Sequence, residues 1–287
     1  MDKKTNKKLN SNTKALIKKC LICFYVLVFS ISVYNLVLNS VRLRREAKTY
    51  DELAMLLTEA VEEAEQVEEI SPQPEPQEVA SAPAIETPEP EKPLPPKRSA
   101  GYKKLKEMNN DFYGWLVIQN TKVNYPVMHR EGSPEFYLRK DFYKNYALSG
   151  SLFVDYRSVG DSLNTLIYGH HMKNGVMFGG LSYFADPNYY ENHKFIEFDT
   201  MDTTAKYQVI AAFESKIYKS GEEGFRYYNY AEITSEEAYN EYVQGILEAS
   251  AIDVGIVPEY GTELLTLSTC NYHTENGRFV VVAAKID

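Results

Sequence analysis

The segment ELLTLSTC, at residues 263–270, has the clearest β-strand pattern in the chain. Its side chains alternate in character, so Leu265 and Leu267 share one face of a strand while Thr266, Ser268 and Cys270 share the other. Cys270 is therefore predicted to end a strand on its more polar face.

A second strand, RFVVVAAKI at 278–286, follows a loop that ends in an Asn-Gly turn signal. If the two strands pair as a hairpin, the strand-ending Cys270 and the strand-opening Arg278 become neighbours. A fixed positive charge favours a thiolate beside it and can donate hydrogen bonds to an oxyanion. This pair is the first candidate for a chemical site.

The rest of the C-terminal region is also rich in short strands. Only TSEEAYNEYVQGILEAS has a clearly helical pattern, with Thr234 or Ser235 as its N-cap, and a short helix is expected over 102–109. Many short strands without a βαβ rhythm predict a mainly β fold, a closed or nearly closed barrel with a few peripheral helices. The further β-rich runs lie at 115–128, 151–156, 164–171, 194–199 and 205–215.

An uncharged apolar run at residues 20–41 indicates a transmembrane helix. At 1.5 Å per residue it reaches about 33 Å, enough to cross a hydrocarbon core of about 30 Å. A cleaved signal peptide is the alternative, but basic residues rather than a small-x-small cleavage site follow. Lysines are denser in 1–19 than basic residues are after the run, which predicts a cytoplasmic basic tail at 1–19 and an extracellular remainder.

Two connecting segments precede the folded domain at 99–287. Residues 42–70 combine many carboxylates with apolar residues spaced by three and four, which predicts an acidic amphipathic helix. We expect a solvated stalk helix, with a short coiled coil as the alternative. Residues 71–98 form a Pro/Glu-rich linker that favours extended conformations. We expect the stalk to matter for reaching substrates and not for chemistry.

Charge and cysteine content exclude several classes of function. The formal net charge of −9 argues against nucleic-acid binding, which needs a basic face. Of the three cysteines, Cys20 and Cys23 lie in the apolar run, so Cys270 has no disulfide partner in the domain. The C-x-x-C spacing at 20–23 lacks a second Cys or His pair, and no acidic cluster has clear ligand spacing, so we expect no metal and no other cofactor.

A nucleophilic cysteine needs an acid or base. His170 and His171 end the strand NTLIYGHH, and because adjacent strand residues point to opposite faces, at most one of them faces Cys270. His273 lies in the turn after Cys270 and is expected to be solvated. The histidine candidates are His129, His170, His171, His193 and His273.

These motifs together resemble the sortases, and the Tyr-Gly-His-His form is similar to class B. T-L-S-T-C ends in Cys270, and Arg278 heads a V-V-V-A strand. The resemblance covers the domain from about Tyr102. The remaining motifs that carry it are Y-G-H-H at 168–171, N-G-x-M-F at 174–178, D-F-Y-G-W-L-V-I at 111–118, Y-P-V at 125–127 and F-V-D-Y-R at 153–157.

The resemblance implies a membrane-anchored cysteine transpeptidase on an eight-stranded sortase β-barrel. It makes Cys270 the nucleophile, His170 the acid/base and Arg278 the oxyanion and substrate-positioning group. Ser268 and Thr269 are candidates for substrate binding. The implied partners are surface proteins with a C-terminal sorting signal, cleaved after Thr, and an amine from a peptidoglycan precursor or a pilin lysine.

Three alternatives stay open at this point. A pilin-polymerising sortase differs only in substrates that lie on other chains. A non-sortase cysteine hydrolase, or an L,D-transpeptidase-like enzyme, is less favoured because the latter predicts S-H-G-C around the nucleophile, where this chain has L-S-T-C. A non-enzymatic surface module would simply bury Cys270 as a small apolar side chain.

Overall fold

A computed structural model of the chain describes residues 11–70, 96–270 and 274–286. The chain divides into two compact units, Met1–Arg45 and Glu46–Asp287. Helix α1, Ser11–Ile70, runs without a break through both segments expected at 20–41 and 42–70. Within the described residues, one helical stretch, Leu16–Ala60, is long and apolar enough to cross a membrane. Most of the predicted linker lies outside the described residues, and its last residues, 96–98, belong to the next helix.

Eight strands close into a barrel with the neighbour order β1-β2-β3-β4-β7-β8-β6-β5. The eight-stranded β-barrel expected from the sequence is thereby confirmed. The strands are β1 Phe112–Ile118, β2 Asn124–Met128, β3 Leu152–Val154, β4 Asn164–Gly169, β5 Phe195–Thr200, β6 Lys206–Lys216, β7 Leu264–Cys270 and β8 Gly277–Lys285.

Most pairings in the barrel are antiparallel, but β2 with β3 and β4 with β7 are parallel. Strand β7 therefore lies between a parallel neighbour, β4, and an antiparallel neighbour, β8. Because parallel neighbours run in the same direction, the carboxyl ends of β4 and β7 lie at the same end of the barrel.

Helices lie around the barrel. The longer ones are α2 Pro96–Met108, α3 Pro187–His193 and α4 Glu236–Ala249, and the 3₁₀ helices are Phe136–Arg139, Tyr156–Ser158, Leu181–Ala185 and Tyr227–Tyr230. The predicted helix at 234–250 is confirmed, and Ser235 is its N-cap, accepting a hydrogen bond from the Ala238 N–H.

Two apolar clusters hold the barrel together, one on each face of β7. Leu265 and Leu267 belong to the interior cluster. Leu264, on the outer face, packs with Tyr242 of α4 and with Tyr227. The outer layer matters for the site, because the face of β7 that carries Cys270 is the face that α4 and the 3₁₀ helix Tyr227–Tyr230 cover.

Residues 46–60 of α1 are not a solvated stalk. Tyr50 and Leu53 are 2% and 0% exposed and belong to the same interior apolar cluster as the barrel strands. Gly101 of α2 permits the close approach, since a Cβ there would lie 2.5 Å from Leu57 Cδ1. The expectation was wrong because the apolar stripe of this helix packs against a surface of the domain. The periodicity of the helix predicts an apolar stripe but not the surface that covers it.

Candidate active site

The ends of three adjacent strands build the candidate site. In the β4–β7 pair, Gly169 is the partner of Thr269, and one step further along the two chains come His170 and Cys270. Neighbouring strands lie about 4.8 Å apart, so we expect His170, directly after the end of β4, to lie close to Cys270 at the end of β7. In the β7–β8 pair, Cys270 is the partner of Arg278, which confirms that they are neighbours in a hairpin.

Cys270 is partly buried and Arg278 lies beside it on β8. Arg278 Nη1 donates to the carbonyls of Gly277 and Asn276 at 3.0 and 3.3 Å, which holds the guanidinium at the turn. Asn276 has φ +56, in the left-handed region that the Asn-Gly turn signal anticipates. A guanidinium has more N–H donors than these two contacts use, so it can also serve an anionic oxygen.

A backbone carbonyl fixes the ring of His170. His170 Nε2 lies 2.7 Å from the carbonyl oxygen of Leu138, in the 3₁₀ helix Phe136–Arg139. A carbonyl oxygen only accepts, so Nε2 carries the proton and Nδ1 is the nitrogen that can exchange one. Desolvation lowers the pKa of His170, the Leu138 hydrogen bond raises it, the nearby Arg139 charge lowers it, and the net shift is downward from 6.5.

Gly169 lets the end of β4 pack tightly. A Cβ at this position would lie 2.5 Å from Leu152 Cδ2 and 2.6 Å from Phe178 Cδ2. Phe178 also donates its backbone N–H to the carbonyl of His170 at 3.1 Å. The Phe of the N-G-x-M-F motif therefore supports the backbone on which His170 stands.

Ser268 and Thr269, the candidates for substrate binding, lie on opposite faces of β7. Ser268 is 1% exposed, and its Oγ is 2.7 Å from the hydroxyl of Tyr227. Thr269 is 2% exposed, and among the described residues its Oγ1 has no hydrogen-bond partner. Both side chains are buried, so neither lines an open groove in this structure.

Tyr227 was not singled out from the sequence. Burial is the largest cause that raises its pKa, the Ser268 hydrogen bond and the Arg278 charge oppose it, and a charge on Cys270 adds to it, so that the pKa is raised overall to about 12. Its hydroxyl therefore stays neutral and couples electrostatically to both Cys270 and Arg278. The sequence offers no signal for this residue, because the run FRYYNY holds three tyrosines with no periodicity that separates them.

The other histidines are placed elsewhere or lie outside the description. His171 forms an isolated β-bridge with Met177, and burial lowers its pKa. His129 follows β2, with a pKa that desolvation lowers, and His193 ends α3, where Nδ1 bonds the Tyr189 carbonyl at 2.7 Å. His273 lies outside the described residues. Among those described, His170 is the histidine that directly follows β4, whose last residue is the partner of Thr269, next to Cys270.

A known protein family matches most of the barrel. The family model described as the sortase domain matches residues 116–286, which include all eight strands except the first residues of β1. The chain therefore belongs to the sortase family of cysteine transpeptidases, and its relatives place it among the class B sortases.

The relatives are all called sortase B. The chain is 29% identical to Sortase B of Staphylococcus aureus over 188 residues, covering 64% of this chain and 74% of that protein. It is 29% identical to Sortase B of Listeria monocytogenes over 181 residues, covering 62% and 70%. Its fold is similar to that of a Staphylococcus aureus sortase B–substrate complex, with a TM-score of 0.66 at 24% identity, covering 86% of this chain and 99% of that one.

Proposed function

We propose that this chain is a membrane-anchored class B sortase that cleaves a C-terminal sorting signal after Thr and transfers the protein to an amine, attaching surface proteins to peptidoglycan. In this proposal Cys270 is the nucleophile, His170 the acid/base and Arg278 the oxyanion donor. The observation that supports it is the strand register: Gly169 and Thr269, which directly precede His170 and Cys270, are partners in the β4–β7 pair, and Cys270 is the partner of Arg278 in the β7–β8 pair.

The first half-reaction acylates the enzyme. The Cys270 thiol gives its proton to Nδ1 of the neutral His170 ring as the sulfur attacks the Thr carbonyl carbon, and Arg278 donates hydrogen bonds to the oxygen as it becomes negative. The C–N bond then breaks, and the leaving amine takes a proton from the His170 ring. The products are a Cys270 thioester and the released C-terminal part of the signal.

The second half-reaction transfers the acyl group. An acceptor amine attacks the thioester carbonyl, His170 takes up the proton that the amine loses, and the C–S bond breaks to regenerate Cys270. The net downward shift in the pKa of His170 keeps the ring neutral near pH 7, which suits this proton-accepting role. Ser268 and Thr269 stay candidates for substrate binding, a role that would require a substrate to reach side chains that are buried here.

The membrane assignment rests on the N-terminal helix. Leu16–Ala60 contains a stretch of mean hydropathy 2.3, as expected for a single-pass anchor. The excess of lysines before residue 20 favours a cytoplasmic N-terminus, with the catalytic unit on the extracellular side. Selective proteolysis of intact cells tests this: external protease should reach the C-terminal domain and leave residues 1–19 protected.

Mass spectrometry tests the reaction. The full chain in detergent micelles, wild type and Cys270→Ala, is incubated with a panel of sorting-signal peptides, with and without peptidoglycan-type amines and a lysine-bearing peptide. We expect a thioester on Cys270 that passes to an amine, and no cleavage by Cys270→Ala.

Other outcomes contradict the proposal in defined ways. Release of free acid with no preference for any amine makes the enzyme a hydrolase. Transfer to the lysine peptide alone makes it a pilin-polymerising sortase. Cleavage that survives Cys270→Ala means that another residue is the nucleophile.

A further inference from the structure

At Glu46 and Tyr50, the part of α1 that packs on the domain hydrogen-bonds to one short segment, residues 148–151. The Glu46 carboxylate accepts from the backbone N–H of Leu148 at 2.8 Å, and from the backbone N–H and hydroxyl of Ser149 at 3.0 and 2.6 Å. One turn further along the helix, the Tyr50 hydroxyl donates to the carbonyl of Gly150 at 2.6 Å and lies 2.9 Å from Ser151 Oγ. Glu46 and Tyr50 together hold all four residues of this segment.

The same segment forms the support of the 3₁₀ helix Phe136–Arg139. Ser151 donates its backbone N–H to the Tyr137 carbonyl at 3.0 Å and its hydroxyl to the Lys140 carbonyl at 2.9 Å. Arg139 Nη1 donates to the Leu148 carbonyl at 2.7 Å. The segment and the 3₁₀ helix are therefore held together from both sides.

At Gly150, the segment 148–151 makes its closest approach to the 3₁₀ helix Phe136–Arg139, at the carbonyl of Leu138. The φ of Gly150 is +58, and a Cβ there would lie 2.5 Å from the carbonyl oxygen of Leu138. That oxygen is the one that His170 Nε2 contacts at 2.7 Å. A continuous path of contacts thus runs from Glu46 and Tyr50, through Gly150, to the Leu138 carbonyl and the His170 ring.

We propose that Glu46 and Tyr50 are positioning residues for His170, acting through residues 148–151 and the Leu138 carbonyl. The juxtamembrane helix is then part of the catalytic apparatus as well as a connection to the anchor. This inference rests on the proposed role of His170 as acid/base, and it is at odds with the expectation that the stalk has no effect on chemistry.

The chemistry of these contacts explains why conservative substitutions of Glu46 and Tyr50 should affect His170. Glu46 faces three donors, and Gln in its place would turn an NH₂ group toward an N–H. Tyr50 is buried, so Phe leaves the Gly150 carbonyl short of a donor without removing the ring. Either change loosens the Gly150 backbone against the Leu138 carbonyl. Since that carbonyl raises the pKa of His170, a weaker contact should lower this pKa.

The test uses the full chain in detergent micelles, as Glu46→Gln, Tyr50→Phe and a matched control, Glu52→Gln. Glu52 makes the same charge change on the same helix, but it is exposed and pairs with Lys48. The titration of the His170 ring is followed by NMR, with its signal assigned by comparison with His170→Gln. Values of kcat and KM for a sorting-signal peptide and the melting temperature are measured alongside.

We expect the titration midpoint of His170 to fall by about 0.3–1 pH units in both variants, the equivalent of part of one hydrogen bond. The kcat should fall about 3–30-fold while KM stays within about twofold, and Glu52→Gln should match the wild type. A lower melting temperature with an unchanged His170 midpoint and unchanged kcat would make the contact purely structural and overturn the proposal.

The NMR titration separates this inference from the proposed function. If the wild type acylates no peptide, the proposed function fails, yet the His170 midpoint still reports whether Glu46 and Tyr50 act on the ring. If Glu46→Gln does not fold, Tyr50→Phe carries the test, because it removes a single hydroxyl. An unchanged midpoint in that variant overturns the proposal by itself.

Discussion

At the scale of single residues, Arg278 should not tolerate replacement by lysine. The planar guanidinium has enough N–H donors to bond both turn carbonyls and an oxyanion at once. The ammonium of lysine cannot reproduce this planar arrangement of donors. We expect Arg278→Lys to lower kcat about 100-fold or more, the size of effect seen when an oxyanion donor is removed. Peptide turnover checks this, with an unchanged melting temperature as the control. Near wild-type turnover removes Arg278 from the mechanism.

The Tyr227–Ser268 contact should stabilise the fold beneath Cys270. Tyr227 is 0% exposed, so Tyr227→Phe leaves the buried Ser268 hydroxyl without its partner. We expect a loss of about 1–3 kcal/mol in the free energy of unfolding of the unit Glu46–Asp287, measured by urea denaturation. The double variant Tyr227→Phe with Ser268→Ala should recover part of the loss. If the single and double variants are equally unstable, the hydroxyl pair is not the cause.

At the scale of elements, the N-cap of α4 can be tested with adjacent residues. The Ser235 side chain accepts from Ala238 N at 3.3 Å, while Thr234 is exposed and lies one residue before the cap. We expect Ser235→Ala to lower the free energy of unfolding by about 1 kcal/mol and Thr234→Ala to change it little. Urea denaturation of the two variants decides it. Equal losses would mean that the hydroxyl of Ser235 does not cap the helix.

Local elements were predictable because their signals are local. The alternation in 263–270 and the Asn-Gly turn before Arg278 predict the β7–β8 hairpin, and hence the Cys270–Arg278 pair. Either of two residues fitted the cap pattern of α4, and the structure selects Ser235 because its hydroxyl reaches Ala238 N.

Contacts between distant elements were not predictable in the same way. Reasoning from the residues alone left both His170 and His171 as candidates for the acid/base. Only the resemblance to a family favoured His170. The parallel β4–β7 register, which brings the end of β4 alongside the end of β7, depends on packing across the whole barrel. The Leu138 carbonyl is a backbone group, so no residue type marks it. The burial of Tyr50 and Leu53 depends on a partner surface that helical periodicity does not specify.

At the scale of the whole molecule, stability should fall as the pH is lowered. Desolvation is the first cause that lowers the pKa values of His129, His170 and His171 in the folded state. The unfolded chain then binds more protons than the folded chain below about pH 6.5, so stability is fully present above that pH and is lost as pH falls through the folded pKa values. Urea denaturation of the unit Glu46–Asp287 between pH 8 and pH 5 measures this loss, and His170→Gln should make the slope shallower.

A second loss should follow at lower pH. Burial raises the pKa of Asp155, but the hydrogen bonds and charge of Arg157 outweigh burial and lower the pKa overall. The stabilisation from this carboxylate is present above its ordinary pKa of about 4 and disappears as pH falls through the lowered folded value. Asp155→Asn should make this second step smaller, and Asp111, whose pKa burial raises but the contacts with Tyr137 and Lys144 lower overall, accounts for part of the remainder. A stability that is flat from pH 8 to pH 3 would contradict both assignments.

The parallel pairing of β4 with β7 has a consequence for when the enzyme becomes active. Its register joins Asn164 to Leu264 and requires a long loop to close, whereas the Cys270–Arg278 hairpin forms between near neighbours in sequence. An unfolded chain therefore holds its thiol and its imidazole far apart. Closure of the barrel brings these groups together, so we expect the unfolded chain to have no transpeptidase activity, and recovery of turnover during refolding to report the β4–β7 pairing.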